Sequence, residues 1–397
     1  MKFKVSLSEL NKALDKTSPA MPKKSTLPIL EHFNFRLKGD ELKIIATDQD
    51  LTIMTFLKVD NIEDGQILVP GKRIVDIIKA LDNTGDIEIS TTEKLDIKIK
   101  TSAGKYSMKG IAPEEYLVLP ELFESAKPDI ENIKNISVVD QTKNPTALFK
   151  RDEMIRLAEK TAYAVGTDEY RPAMTGVLFQ FGGDFVNAVA TDSYRLVRTI
   201  SKPSFGVYPN DLDIIIPSRT IEQLKKVDDD VAVSFIKTET NITHIRFDIG
   251  EMVIISRLID EKFPPYESVL PKNNELIAIV PKQQLLKAVR RTAIFTNKTS
   301  NLIKLNFENN LLTLIGEDED TASEASEQIP CEYTGEAIKI GFNFKFLAEA
   351  VGNVNDNDDE EKTKVKITFS EPTRPTLITP FPDTEDLLML LMPLRIS

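Results

Sequence analysis

The sequence predicts an α+β protein of three homologous domains, each with two helices packed on antiparallel β-sheets. Three kinds of segment predict it, because each recurs three times, in one order, along the 397 residues. The first is a strand that leads into an amphipathic helix. The second is a strand ending in Ala-Thr-Asp or a degenerate form of it. The third is a strand that stops at Pro or Gly just before another helix.

The strand-helix segments read MKFKVSLSELNKALDKT at 1–17, TALFKRDEMIRLAEKTAYA at 146–164 and LIAIVPKQQLLKAVRRTAIF at 276–295. In each, an apolar run gives way to helical spacing: Leu7, Leu10 and Leu14; Met154, Leu157 and Ala158; Leu285, Leu286 and Val289. The second kind covers 42–51, 185–196 and 311–320, where a small residue followed by a polar pair predicts a tight turn between antiparallel strands. The third covers 65–89, 211–235 and 335–354, with Pro70, Pro217 and Gly341 placed where the strand stops. Helices are therefore predicted at 7–17, 71–82, 150–164, 218–227, 281–295 and 341–352, with about eight strands per repeat. Pro-rich polar stretches at 120–135 and 261–274 separate domains predicted at 1–122, 138–260 and 272–397. The acidic run at 354–361 is predicted to be a solvated loop.

Composition excludes several classes of function. No apolar run is long enough for a transmembrane helix. The start MKFKVSLSEL lacks the apolar region of a secretory signal, and with a single cysteine, Cys331, this points to the cytoplasm. The only histidines are His32 and His244, which argues against His-based catalysis and against a His-rich metal site. No cofactor is expected.

The net charge of −12 argues against a nucleic-acid binder only if the charge is spread evenly. It is not. The six predicted helices hold seventeen basic and nine acidic residues, a surplus of +8 that leaves −20 on the remainder. Lys287, Arg290 and Arg291 share one helix face at i, i+3 and i+4. One such face is usually just solvated. Six helices of positive or neutral sign in an acidic chain instead suit a surface that holds DNA through phosphates without reading bases.

Three motifs are set aside. Thr191-Asp192-Ser193-Tyr194-Arg195 has no histidine nearby, and its Thr-Asp recurs at Thr47-Asp48, which indicates turn chemistry rather than a nucleophile. Gly182-Gly183-Asp184 has no phosphate-loop spacing and reads as a hairpin. Glu317, Asp318, Glu319 and Asp320 lack the spacing of a calcium loop.

MKFKV at the start, STLPIL at 25–30, ATDSYRL at 190–196, FPPYESVLP at 263–271 and MPLR at 392–395 span all three repeats. In this order they resemble the bacterial DNA polymerase III beta subunit family, the sliding clamps. The resemblance implies the DNA-clamp fold. Two chains would close head-to-tail into a six-domain ring, with twelve helices lining the hole. It implies no enzymatic activity and no metal. The implied partners are double-stranded DNA bound without sequence preference, a second copy of the chain, the DNA polymerase III core, an ATP-driven clamp loader, and other replication and repair proteins that dock by short hydrophobic motifs. No membrane is implied.

Carried over by motif, the peptide pocket comprises Met174, Gly176, Thr191, Ser193, Tyr194, Arg195, Leu196, Pro264, Val269, Leu390, Met392, Pro393, Leu394 and Arg395. Arg195 and Arg395 are expected to hold polar groups of the peptide at its rim. Candidate DNA contacts are Lys24, Lys72, Arg73, Arg151, Lys287, Arg290 and Arg291. Candidate dimer contacts are Met108 on one side and Ile294 and Phe295 on the other. The chain departs from the family with Ser193-Tyr194 where Gly-His is common, with Ile396-Ser397 beyond MPLR, and with the run 354–361, which looks like an insertion. The competing readings are a protein–protein scaffold of the same fold without DNA, which would show no charge bias on the helices, and an enzyme, for which no convergent acid, base and nucleophile can be assembled.

Overall fold

A computed structural model describes residues 1–81, 85–102, 104–119, 146–182, 184–202, 205–207, 212–237, 241–355, 362–383 and 385–396. The boundary stretch 120–135 and residues 356–361 of the acidic run lie outside the described residues. The described residues form twenty-six strands and six α-helices. The helices are Leu7–Thr17, Gly71–Ala80, Arg151–Ala162, Ser218–Leu224, Lys282–Thr292 and Phe344–Gly352. They fall where the periodicity predicts, and each buries one stripe. Leu7, Leu10, Ala13 and Leu14 do so in the first, and Leu285, Leu286, Ala288 and Val289 in the fifth. With these bounds the helices keep a surplus of positive charge, fourteen basic against eight acidic residues.

One element differs from expectation. Gly341 does not end its strand, which continues to Asn343. The Asn343 side chain accepts from the Lys345 N–H, 3.0 Å, and caps the last helix. Asn343 therefore matches Pro70 and Pro217, the residues that precede the corresponding helices. Gly341 lies inside the ladder opposite Lys304, and a Cβ there would stand 2.9 Å from the Leu394 carbonyl oxygen. Close approach of the C-terminal segment requires this glycine.

The strands make four sheets. Five strands join Asp60–Glu63, Lys2–Ser6, Asp86–Thr91, Asp96–Lys100 and Lys105–Lys109, in that order. A nine-stranded sheet couples the first repeat to the second, because Leu51–Lys58 pairs antiparallel with Met252–Arg257. An eight-stranded sheet couples the second to the third through Arg195–Ser201 and Leu387–Leu391. The fourth runs Ser323–Pro330, Leu311–Asp318, Leu302–Glu308, Ile338–Asn343. The chain accordingly forms two compact units. One comprises Met1–Met154, Pro203–Tyr208 and Lys226–Leu258, and the other Ile155–Lys202, Pro209–Lys225 and Ile259–Ser397. The middle repeat contributes to both. Among the described residues no helix is long and apolar enough to cross a membrane.

Candidate functional site

The repeated Thr-Asp segments form the same turn. Thr47 Oγ1 accepts from the Gln49 N–H at 3.1 Å, and Thr191 Oγ1 from the Ser193 N–H at 3.2 Å. Asp48 Oδ1 accepts from the N–H groups of Asp50 and Leu51, and Asp192 Oδ1 from those of Tyr194 and Arg195. One oxygen of each carboxylate is thus committed to the backbone, as short polar side chains in turns are. The third turn residue has a left-handed backbone in each, φ 86° at Gln49 and 78° at Ser193. Glycine adopts that conformation without penalty, so Ser193 stores about 1 kcal/mol of strain. Ser193→Gly is expected to raise stability by up to that amount in urea unfolding, with an unchanged m-value; a lower midpoint would show that the hydroxyl contacts outweigh the strain.

The turn stands beside an apolar cluster. Leu178, Val189, Leu196, Ile215, Phe263, Tyr266 and Leu390 form one buried cluster on the eight-stranded sheet, flanked by Ala173, Ile259, Leu270 and Leu377. Strand alternation puts these residues on one face. The segment after Ile259 lies over that face, where Phe263 and Tyr266 meet edge to face at 6.5 Å. Burial pushes the Tyr266 phenol up, and it donates to Gln180 Oε1 at 2.7 Å.

The expected pocket residues divide by depth. Gly176, Thr191, Leu196 and Leu390 are buried. At Gly176 a Cβ would strike the Ile216 carbonyl oxygen at 2.5 Å. Met174, Pro264, Pro393 and Leu394 are half-buried, while Ser193, Tyr194, Val269, Met392 and Arg395 are exposed. Val269 is 50% exposed and Met392 38%. Met174 Sδ lies 3.3 Å from Ser193 Oγ, which also accepts from Arg171 at 2.8 Å. Leu387–Leu391 pairs with Arg195–Ser201, as an apolar tail that docks should. The strand ends at Leu391, and beyond Pro393 the Leu394 N–H makes an isolated bridge to the Gly341 carbonyl at 2.8 Å.

Arg195 corrects an expectation. It does not wait at the rim for a peptide. Its guanidinium pairs with Asp192 at 3.0 Å and with Glu349, and lies 4.4 Å from the ring centre of Phe346 and 5.2 Å from that of Tyr163. Tyr194 stacks on the same Phe346 at 6.4 Å. Arg195 fastens the turn to the last helix. Sequence reading missed Leu178, Val189, Ile215, Phe263, Tyr266 and Phe346. Period-two alternation from Gly176 marks Leu178, but no local pattern pairs Arg195 with a carboxylate 154 residues away.

Two of the seven candidate DNA contacts are also committed elsewhere. Arg151 donates through Nε to the Val227 carbonyl at 3.2 Å and pairs with Asp152 at 2.6 Å. Arg291 makes a two-pronged pair with Glu327, one arm at 2.9 Å, and the hydrogen bond from Arg291 holds the Glu327 carboxyl below its usual range. Lys24, Lys72, Arg73, Lys287 and Arg290 are exposed and make no ion pair among the described residues. Lys72 and Arg73 begin a helix and line a cleft of about 920 Å³ with Lys23, His32 and Pro70. Of the dimer candidates, Ile294 and Phe295 are 77% and 39% exposed on a short 3-10 turn. Met108 is only 6% exposed and pairs with Ile97 inside its own sheet, which makes it a core residue and corrects its assignment as a contact. Among the described residues no cluster of three or more His, Cys, Asp or Glu could hold a metal.

Family models of the DNA polymerase III beta subunit match the chain along nearly its whole length: the N-terminal domain over 1–120, the central domain over 149–265 and the C-terminal domain over 267–395. The chain belongs to the DNA polymerase III beta subunit family. The beta sliding clamp of Pseudomonas aeruginosa is 26% identical over 89% of this chain and 90% of its own. That of Caulobacter vibrioides is 26% identical over all of both chains. The solved structure of the Pseudomonas aeruginosa sliding clamp bound to griselimycin superposes with a TM-score of 0.86 at 25% identity, covering both chains completely. The beta subunit family is the sliding-clamp family of DNA replication, so the fold and function implied by the motifs are borne out.

Proposed function

We propose that two copies of the chain close head-to-tail around duplex DNA and tether DNA polymerase III and other DNA enzymes through the apolar groove. The observation that carries this reading is the charge division: +6 on the observed helices of a chain whose total is −12. Such helices, turned inward, attract phosphates without selecting a sequence. An acidic exterior disfavours adsorption of DNA to the outside. Lys24, Lys72, Arg73, Lys287 and Arg290 are the proposed phosphate contacts.

Two open sheet edges support the closure. Lys105–Lys109 ends one sheet and Ser323–Pro330 another, and each leaves a row of backbone groups for a partner strand. The first edge carries Lys105 and Lys109, the latter paired with Asp96, and the second Glu324 and Glu327, the latter paired with Arg291. The groove supports partner docking because it combines a buried apolar floor with the exposed rim residues Val269 and Met392.

Retention on DNA tests the proposal. Protein loaded onto nicked circular DNA should stay bound through a salt wash and be lost once the circle is cut. Neutralising Lys24, Lys72, Arg73, Lys287 and Arg290 together, ten cations in a ring of two chains, should reduce loading and flatten its salt dependence by up to about nine in log–log slope. Equal loss from circular and linear DNA would refute encirclement, and an unchanged slope would remove these cations from the interface.

A further inference from the structure

The sheet face beneath the proposed groove carries a cation, Arg198, that makes no ion pair among the described residues. Leu178, Val189 and Ile215 lie in one row across the eight-stranded sheet, and Arg198 continues that row opposite Val189 on one side and Leu388 on the other. Leu196 lies two residues back on the same strand, so Arg198 emerges on the groove face beside it. The side chain is half-buried, and its Nε is shielded from solvent without a hydrogen-bond partner.

The nearby polar groups do not serve it. Asp213 accepts from Gln180 Nε2 at 3.2 Å through both oxygens, and Gln180 Oε1 is taken by Tyr266. Asn187, diagonal to Arg198 on the same face, likewise has its side-chain oxygen shielded and without a partner. The other groove arginine, Arg195, is already paired with two carboxylates. A guanidinium offers donors in a planar fork that fits a carboxylate. A shielded, unused fork edge beside an apolar floor therefore suits a ligand with apolar side chains and one carboxylate.

We infer that Arg198 is a specificity-determining residue of the groove, selecting short hydrophobic peptides that also bear an Asp or Glu side chain over neutral peptides of the same apolar pattern. This rests on the reading of the groove as a peptide site. Charge complementarity commits the occupant. In a chain of net charge −12, an acidic peptide is repelled over most of the surface, and an unpaired arginine on the floor gives it one place to settle.

The test uses the full-length protein and fluorescence anisotropy. The probes are labelled peptides with two apolar anchors in which Glu is placed at each other position in turn, each compared with its Gln counterpart. One register is expected to bind wild-type protein at least tenfold more tightly as Glu than as Gln. In Arg198→Met that ratio is expected to fall to within twofold, and in Arg198→Lys to an intermediate value, since the charge remains and the fork is lost. Thermal melts of both variants check that they fold. The inference is overturned if no register prefers Glu, or if the preference survives in a folded Arg198→Met. Failure of every peptide, Gln forms included, to bind wild-type protein would instead reject the groove as a peptide site, and this inference with it.

Discussion

Aspartate at both Ile294 and Phe295 is expected to turn the proposed dimer into a monomer in sedimentation at micromolar concentration. The two side chains stand 77% and 39% exposed on the 3-10 turn Ala293–Phe295, so the single chain gains little from them. Covering such a pair is worth about 1.5–3 kcal/mol for each fully buried side chain, and a buried unpaired carboxylate adds a larger penalty. A head-to-tail closure repeats the contact at both junctions, so both are lost together. The thermal melt of the chain should change little, because these residues support no core of their own. Sedimentation of the variant as the same species as the wild type would show that the junction lies elsewhere. Met108 is unsuited to the same test: with 6% exposure, changing it would damage the five-stranded sheet before any contact between chains.

Removal of residues 392–397 is expected to weaken binding of a QLxLF-type peptide by at least about 100-fold, which corresponds to about 2.7 kcal/mol. The deletion takes away Met392, Pro393 and Leu394, which follow Leu390 of the buried cluster in the chain. It also removes two backbone hydrogen bonds, from the Met392 N–H to the Tyr194 carbonyl and from the Leu394 N–H to the Gly341 carbonyl. At about 0.5–1.5 kcal/mol each, these should lower the melting temperature by a few degrees without abolishing the cooperative transition. Sequence alone suggests an unfolding midpoint that hardly moves; the Leu394 bond is why a small loss is now expected. Wild-type affinity in the truncated protein would refute the tail's part in the groove.

These two experiments mark what the sequence makes legible. Periodicity places all six helices, because an apolar stripe is local information: Leu7, Leu10 and Leu14 suffice to orient the first. The recurring Thr-Asp pair is legible as a turn because its hydrogen bonds close within three residues. Pairings over long sequence distances are not legible. Arg291 reads as a free cation on a helix face until Glu327, on a strand 36 residues later, comes beside it. Arg195 reads as a rim residue until Glu349 and Phe346 enclose it. Met108 sits in a polar context, KYSMKG, and only its register with Ile97 reveals that it points into the sheet. The family motifs locate the proposed groove, whereas the apolar cluster beneath it draws Leu178, Ile215 and Tyr266 from three separate segments.

The seams between repeats have a mechanical consequence. At the first, five consecutive residue pairs from Leu51–Ser256 to Thr55–Met252 lie in one ladder, over a cluster of Ile45, Met54, Val253 and Ile255. At the second, Arg195–Thr199 is laddered to Leu387–Leu391 beside the groove cluster. Parting either seam would break several main-chain hydrogen bonds together and wet an apolar core. In a ring of two such chains these would be the welded joints, and the junctions between chains the bolted ones. A load applied to open the ring would concentrate at the bolts, so the gate for DNA would be set by contacts such as Ile294 and Phe295 while the groove keeps its shape under strain.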